Sequence, residues 1–169
     1  LTVVEAPAPD APAGVEIVSW AEQPSLAEGM YEVAREAYVD VPGQAEAAVP
    51  AFERWLKMDM QGASDRPEAV FVAVAGGLVV GYAKLSLDEA RLDVAMHDMT
   101  GVLRAWRGRG VAGALKRAEI AWAKQAGYRR LETFNEERNT PVQALNRRHG
   151  YVVEPGSIIL RATIAAGGD

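Results

Sequence analysis

Between Arg104 and Gly113 the chain sets three arginines, Arg104, Arg107 and Arg109, among three glycines, Gly108, Gly110 and Gly113. That combination suits a compact anion, with phosphate the first expectation. Glycine lets a phosphate lie against the backbone with no Cβ in the way. Guanidinium groups add a planar fork of donors that matches its oxygens. A helical pattern starts directly after the loop, and a helix N-terminus offers unpaired N–H groups and the positive end of a dipole. Just upstream, His97 and Asp98 are adjacent candidates for proton transfer. On a regular strand they point to opposite faces, so only one can face an acceptor, unless a bulge breaks the parity. His97 is the expected base, because imidazole titrates near neutrality, whereas Asp98 would need burial to raise its pKa. The other histidine, His149, stands before Gly150 and is expected to be a packed residue at a helix C-terminus. The chain has no cysteine. That excludes a disulfide scaffold, a thiol nucleophile and a Cys-based zinc site, and no metal is expected.

The elements that must position these residues are read from periodicity. Val15 and Ile17 mark a first strand near 14–20. Leu26, Met30, Val33 and Ala37 recur at helical spacing over 24–38, and Val49, Phe52, Leu56 and Met60 do so over 47–61. Residues 62–67 read as a loop. Residues 69–87 read as a hairpin turning at Gly76-Gly77. Residues 91–103 read as a strand leading into the glycine loop. Val111, Leu115, Ala118 and Trp122 form one stripe of a helix over 108–127, stopped at Gly127. A short strand follows at 129–134, then a helix capped by Asn139 and ended by Gly150. Two last strands are expected at 151–153 and 157–163. The order is β-α-α-β-β-β-α-β-α-β-β, with no internal repeat.

The glycine loop fits two frames, and it also fits a helix entered through a glycine turn with no ligand. Gly108, Gly110 and Gly113 match the G-x-G-x-x-G dinucleotide fingerprint, and Glu132 follows about 20 residues later, where a ribose-binding acid would stand. Position argues against that frame, since the motif belongs in a first βα unit and too little chain follows to build the rest. In the other frame, Arg107-x-x-Gly110-x-Ala112 resembles the R/Q-x-x-G-x-G/A motif of the GNAT acetyltransferase superfamily. Val102 matches the apolar residue of the preceding strand. Asn135, Asn139, Leu145, Gly150 and Tyr151 resemble the family's downstream pattern.

The resemblance covers residues 14–162 and implies an α/β GNAT fold: a mixed, mostly antiparallel central sheet with helices on both faces. It implies acetyl-CoA as cosubstrate and N-acetylation of a small-molecule or peptide amine. The pantetheine arm would bond the strand backbone at Val102 and Leu103. The pyrophosphate would rest on Gly108, Arg109, Gly110, Val111 and Ala112, with Arg107 close by. Asn135 and Asn139 would complete the cofactor side. Trp20, Tyr31, Tyr38 and Trp55 fall where the family builds its acceptor wall, although each also reads as core, and Trp122 reads as core. Asn146 stands where many members carry a tyrosine that protonates the leaving thiolate. An amide cannot donate that proton, but it could hydrogen-bond the sulfur or the pantetheine. A catalytically degenerate acyl-CoA-binding or regulatory domain therefore stays open as an alternative, and a nucleotide-dependent oxidoreductase remains the reading of the dinucleotide frame.

Charge and composition agree with a compact anionic ligand. The 169 residues carry a net charge of −5, yet 104–148 holds nine Arg and two Lys against four Glu. The whole chain is thus no generic nucleic-acid binder. The acidic remainder fits a cationic acceptor such as an amino sugar, a polyamine or a peptide N-terminus. The length suits one domain over 14–169, after an Ala/Pro-rich tail or linker at 1–13. No apolar run approaches the ~18 residues of a membrane span. The chain starts at Leu1 with no basic n-region, so no signal peptide and a cytoplasmic setting are expected, and the missing initiator Met fits trimming from a longer chain. A homodimer is left open.

Overall fold

The computed structural model describes residues 10–41 and 49–154. Five strands form one sheet in the order β1-β2-β3-β4-β5: Glu16–Ser19, Asp65–Ala75, Leu78–Leu87, Val94–Val102 and Arg130–Thr133. The first four run antiparallel to their neighbours, and only β4 and β5 are parallel. A dinucleotide fold needs a doubly wound parallel sheet, so the oxidoreductase reading fails on topology. The hairpin of β2 and β3 turns at Gly76-Gly77, where φ is +55° and +84°, values that a two-residue turn between twisted strands requires.

Helices cover both faces, which is why β2 and β3 read as near-continuous apolar runs. On one face lie α1 (Ala27–Tyr38) and α2 (Phe52–Trp55). There Met30, Val33 and Ala34 pack with Trp55, Val70, Val72 and Tyr82. On the other face lies α3 (Val111–Gln125), whose Val111 and Leu115 meet Ala73, Val80, Ala83 and Val102, and whose Ile120 and Ala123 meet Leu85, Ala95 and Leu131. The last helix, α4 (Thr140–Arg148), is capped by Asn139, whose side chain accepts a hydrogen bond from the Val142 N–H.

Several boundaries differ from the sequence-based expectation. The helix expected over 47–61 is α-helical only from Phe52, because Pro50 disfavours helical backbone in the residue before it; residues 47 and 48 lie outside the described residues. Leu56–Met60 then forms a π turn, which has no periodic signature in sequence. The loop expected at 62–67 is partly strand: β2 begins at Asp65, paired with Ser86, and an irregularity before Val70 absorbs Pro67, which has no N–H to give to a ladder. Tyr151–Val153 is not strand, with Val152 and Val153 largely exposed, and the strand expected at 157–163 lies outside the described residues.

The approach of α1 to the sheet is set by Gly29. A Cβ there would lie 2.5 Å from Val79 Cγ2 and 2.8 Å from Val79 Cβ. Val79 is 5% exposed and stiff at χ1. Alanine would gain ~1 kcal/mol of helix propensity, but overpacking costs ~1–3 kcal/mol. Gly29→Ala is therefore expected to lower the melting temperature by a few degrees, as thermal denaturation would show; an increase would mean that α1 sits further from β3.

Candidate active site

Strand β4 pairs with β5 only over Val94–His97, against Arg130–Thr133. There β5 ends, while β4 runs on to Val102 with no strand partner on that side among the described residues, and this end of the pairing is the fork. The fork coincides with a β-bulge: Lys84 of β3 faces Met99 and Leu85 faces His97, so Asp98 is the extra residue. The bulge reverses side-chain parity along β4. Before it, Ala95 and His97 face α3, and beyond it Val102 does. Asp98 and Met99 both turn to the α1 face. Gly101 lies close against that face too, where a Cβ would be 3.1 Å from Ala37 and 3.2 Å from Val33.

On the α1 face Asp98 belongs to a cluster centred on Lys84, which is 5% exposed. The Lys84 Nζ lies 2.9 Å from Asp65 Oδ1 and 2.8 Å from Asp98 Oδ2, and it donates a hydrogen bond to the Asp59 carbonyl. That carbonyl belongs to the π turn, which gives the unexpected turn a task. Tyr38 lies 3.5 Å from the Asp59 carboxylate through its hydroxyl. Two carboxylates and a backbone carbonyl thus hold one ammonium, and the Asp59 carboxylate lies within its electrostatic reach. Burial pushes the Asp59 carboxyl up, against the pull of Lys84. Burial, helped by Asp59 and Asp98, pushes the Tyr38 phenol up to about 12. Burial lowers the Lys84 ammonium, but Asp98 and Asp65 outweigh it and the net shift is upward. Asp98 is the open member, with its side chain 48% exposed. Further along α1, an open cleft of about 410 Å³ is lined by Glu28, Gly29, Tyr31, Glu32 and Phe52.

His97 is placed on the opposite side of the strand from Asp98. Its ring is buried against α3, with Nδ1 2.9 Å from Glu119 Oε2 and Nε2 bonded to the Tyr151 hydroxyl. Burial pushes the imidazole below its usual value; Glu119 opposes the shift and Lys116 adds to it. Asn146 is buried beside them, where its Oδ1 accepts from Lys116 Nζ at 2.9 Å. His149 closes α4, and its Nδ1 lies 2.9 Å from the Leu145 carbonyl, as suits a packed C-terminal histidine.

The glycine loop forms the other end of the fork. Gly108 and Gly110 adopt φ of +73° and +88°, and Gly110 is the N-cap of α3. The first bond of the helix runs from Ala114 N–H to the Gly110 carbonyl, so the N–H groups of Val111, Ala112 and Gly113 point out of its end. A Cβ on Gly108 would meet nothing within 4 Å, and one on Gly110 only Pro12, at 3.7 Å. The backbone cradle is open, as an anion site requires. Arg109 lies over the Trp106 ring, 4.8 Å from its centroid. Arg104 and Arg107 are otherwise engaged: both pair with Asp40 at 2.7 Å, and their hydrogen bonds hold its carboxyl down at about 2. Arg107 also donates to the Val102 carbonyl at 2.9 Å, and the Leu103 N–H is bonded to Val80. Of the backbone groups expected to meet pantetheine there, the Leu103 N–H is thus engaged, while the Val102 carbonyl keeps a second lone pair. Asn135 is exposed after β5, and the Asn139 side chain is committed to its cap.

The site residues outside the first reading are Lys84, Asp59, Asp65, Lys116, Glu119 and Tyr151 in its polar role. Lys84 carried one signal, a lysine inside an apolar strand. Lys116 and Glu119 look like ordinary surface charges of an amphipathic helix, and nothing in their spacing betrays their burial.

The buried imidazole has a consequence for stability. Its folded-state pKa lies below the unfolded value, so the unfolded chain takes up the proton first as the pH falls. The contribution is complete above ~6.5 and is lost as the pH drops below it. Melting temperature is expected to fall from about pH 7.5 to about pH 5.5, across that ~6.5 value, and His97→Gln should flatten the fall. An unchanged slope in the variant would place the acid sensitivity elsewhere.

Comparison with known proteins fits this geometry. The acetyltransferase (GNAT) family pattern matches residues 27–151. An aminoglycoside N(6')-acetyltransferase type 1 of Stenotrophomonas maltophilia is 31% identical over 98 residues, 54% of this chain and 64% of that protein. A GCN5-related N-acetyltransferase from Sphaerobacter thermophilus superposes over 89% of this chain and 45% of its own, with a TM-score of 0.71 and 29% identity. An aminoglycoside acetyltransferase, AAC(6')-Iy, solved with a bisubstrate analogue of coenzyme A, shares the fold at a TM-score of 0.61 and 22% identity, over 89% of this chain and 99% of its own. The match thus spans less than two thirds of the Stenotrophomonas protein and less than half of the Sphaerobacter chain. Among the described residues no helix is long and apolar enough to cross a membrane. With the family pattern covering most of its length, and with a parallel β4–β5 pair that ends at His97 ahead of a glycine-lined helix N-terminus, this chain belongs to the GNAT acetyltransferase family.

Proposed function

We propose that the chain transfers the acetyl group of acetyl-CoA to an amine of a cationic small molecule. The observation that carries this reading is the bulge at Asp98. It directly follows the last β4–β5 pair and sets a half-exposed carboxylate at the head of the fork. Coenzyme A would lie along the side of β4 beyond His97 that no strand among the described residues pairs. Its pyrophosphate would rest on the N–H groups of Val111, Ala112 and Gly113, and Arg109 is the arginine of the loop best placed to join it. Arg107 and Arg104 would act from their pairing with Asp40, which ties the end of α1 to the loop.

The amine would arrive on the α1 face. Three carboxylates within reach of one lysine leave an acidic field there, and such a field draws a cation. In the cleft on α1, Glu28 and Glu32 stand beside the rings of Tyr31 and Phe52, a lining that suits a second cationic group. An acceptor with more than one amine, such as an amino sugar or a polyamine, fits this surface best. The base role expected of His97 passes to Asp98, since the imidazole faces the other side of the sheet. Asp98, directly or through a water, would take the ammonium proton. The neutral amine would then attack the thioester carbonyl, the C–S bond would break with the electron pair on sulfur, and the second proton of the nitrogen would pass through solvent to the thiolate. Asn146 would not serve as the acid. Its carbonyl oxygen is held by Lys116, and the buried pair would lend structure to the sulfur side. That absence of an acid is what favours the second reading, an acyl-CoA-binding domain without turnover.

Calorimetric titration with coenzyme A, followed by thiol release across a panel of amines, separates the two readings. The chain has no cysteine, so released thiol is coenzyme A alone. Gly110→Asp is expected to abolish coenzyme A binding, because it adds a charge to the cradle at a backbone conformation that favours glycine. Asp98→Asn is expected to lower kcat/KM by ~10²–10⁴ while leaving coenzyme A affinity intact. Full activity in Asp98→Asn would remove it from the reaction. Coenzyme A binding with no thiol release from any amine would favour the domain without turnover.

A further inference from the structure

Arg117 takes no part in the scheme above, yet its side chain is held beside the phosphate cradle. It stands one helical turn after Gly113 on α3. Helical side chains lean back over the preceding turn, so the guanidinium lies over Gly113. A Cβ added to Gly113 would be 3.3 Å from Arg117 Nη1 and 3.9 Å from His149 Cε1. The bare glycine thus leaves the space that the guanidinium fills. The segment before β1 holds it from the other side. Arg117 Nη2 donates to the Asp10 carbonyl, the Val15 N–H donates to the Pro12 carbonyl at 2.9 Å, and Pro12 borders Gly110. Residues 10–12 therefore cross the start of α3 as a strap tied to the beginning of β1.

Holding an arginine in this way is costly. Its long side chain gives up rotamer freedom. Its Nε is buried with no hydrogen-bond partner among the described residues, a state that a buried donor avoids where packing alone decides. No carboxylate pairs with Arg117 among the described residues, and the acceptor it does have is a neutral carbonyl. The positive charge is fixed in place but not neutralised. Arg104 and Arg107 differ on this point, since both pair with Asp40. Among the described residues Nη1 of Arg117 has no hydrogen-bond partner, and it is the nitrogen that lies over the first turn of α3.

The surroundings of Arg117 select the group it would meet. The pyrophosphate would rest on the N–H groups of Val111, Ala112 and Gly113 with Arg109, and pantetheine would leave along β4. Arg117 belongs to neither path: it is bordered by the strap, Gly113 and the end of α4. In coenzyme A the pyrophosphate is joined to the 5′ carbon of a ribose that carries another phosphate at its 3′ oxygen. A second anion thus follows one sugar beyond the cradle, on the side away from pantetheine. A phosphate dianion is the partner that a fixed guanidinium with open N–H groups suits.

We propose that Arg117 binds the 3′-phosphate of coenzyme A through Nη1, with the Asp10–Pro12 strap as its positioning element. This rests on the coenzyme A site of the reading given above. Arg117 then sets which carrier of the acetyl group is accepted: a carrier with the same pantetheine and pyrophosphate but no 3′-phosphate binds the cradle without this contact.

The test is calorimetric titration of the full chain with coenzyme A and with 3′-dephospho-coenzyme A, which differ in that phosphate alone. The chain is expected to bind coenzyme A about tenfold tighter or more. The ratio should narrow as salt is raised from ~0.1 to ~1 M, because the pair is partly open to solvent. Arg117→Gln should bring coenzyme A to the level of the dephospho form and leave the dephospho form where it was. Equal affinity for the two ligands in the unaltered chain would overturn the proposal. So would an equal loss for both in Arg117→Gln, which would put the guanidinium on the pyrophosphate or give it a role in the fold alone. Should Arg117→Gln fail to fold, Arg117→Met keeps the apolar stem without the charge and carries the same comparison. Failure of the unaltered chain to bind either ligand would instead overturn the coenzyme A site and the acetyl-transfer reading with it.

Discussion

The bulge at Asp98 is the feature on which the rest of the site depends. One extra residue on β4 opposite β3 falls directly after the last pair of the ladder to β5, whose strand stops at Thr133. It turns Asp98 and Met99 to one face. It leaves His97 on the other face, against α3. Without it, regular parity would put Asp98 and Gly101 on opposite faces, and the close approach of α1 at Gly101 would be lost.

Strand β4 therefore separates two charged environments. On the α1 side Lys84 ties together Asp65, Asp98 and the π-turn carbonyl of Asp59. This cluster is open at Asp98 and carries more carboxylate than ammonium. On the α3 side the ionisable groups are closed off from water. The first suits an incoming cation. Removing Lys84 would leave Asp65, 7% exposed, unpaired in the interior, and breaking such a pair costs ~3–5 kcal/mol. The acceptor side is thus built into the stability of the sheet, which is why its geometry can hold a half-exposed carboxylate in place.

Much of this architecture was legible in the residues. The Gly76-Gly77 turn, the Val111–Leu115–Ala118 stripe and the Asn139 cap each rest on local rules, and each appears as expected. The bulge was not legible, because one added residue leaves no compositional mark. That single residue decided which of His97 and Asp98 faces which helix. The π turn escaped for a similar reason: Leu56–Met60 keeps the apolar pattern of an α-helix while its hydrogen bonding shifts. Lys116 and Glu119 escaped because charge on a helix reads as surface, and only the packing of α3 against β4 and α4 shows them buried. The arginines gather at the loop as their spacing predicts, but the partner of Arg104 and Arg107, Asp40, lies more than sixty positions upstream, at the end of another helix.

A crystal structure with coenzyme A bound tests the central claim most directly. The account predicts the pyrophosphate on the N–H groups at the start of α3, the pantetheine along β4 from Val102 toward Asp98, and the sulfur at the fork, between Asp98 on one face and the His97–Tyr151 pair on the other. Coenzyme A found in the cleft between α1 and α2, or with its sulfur turned away from the fork, would contradict it.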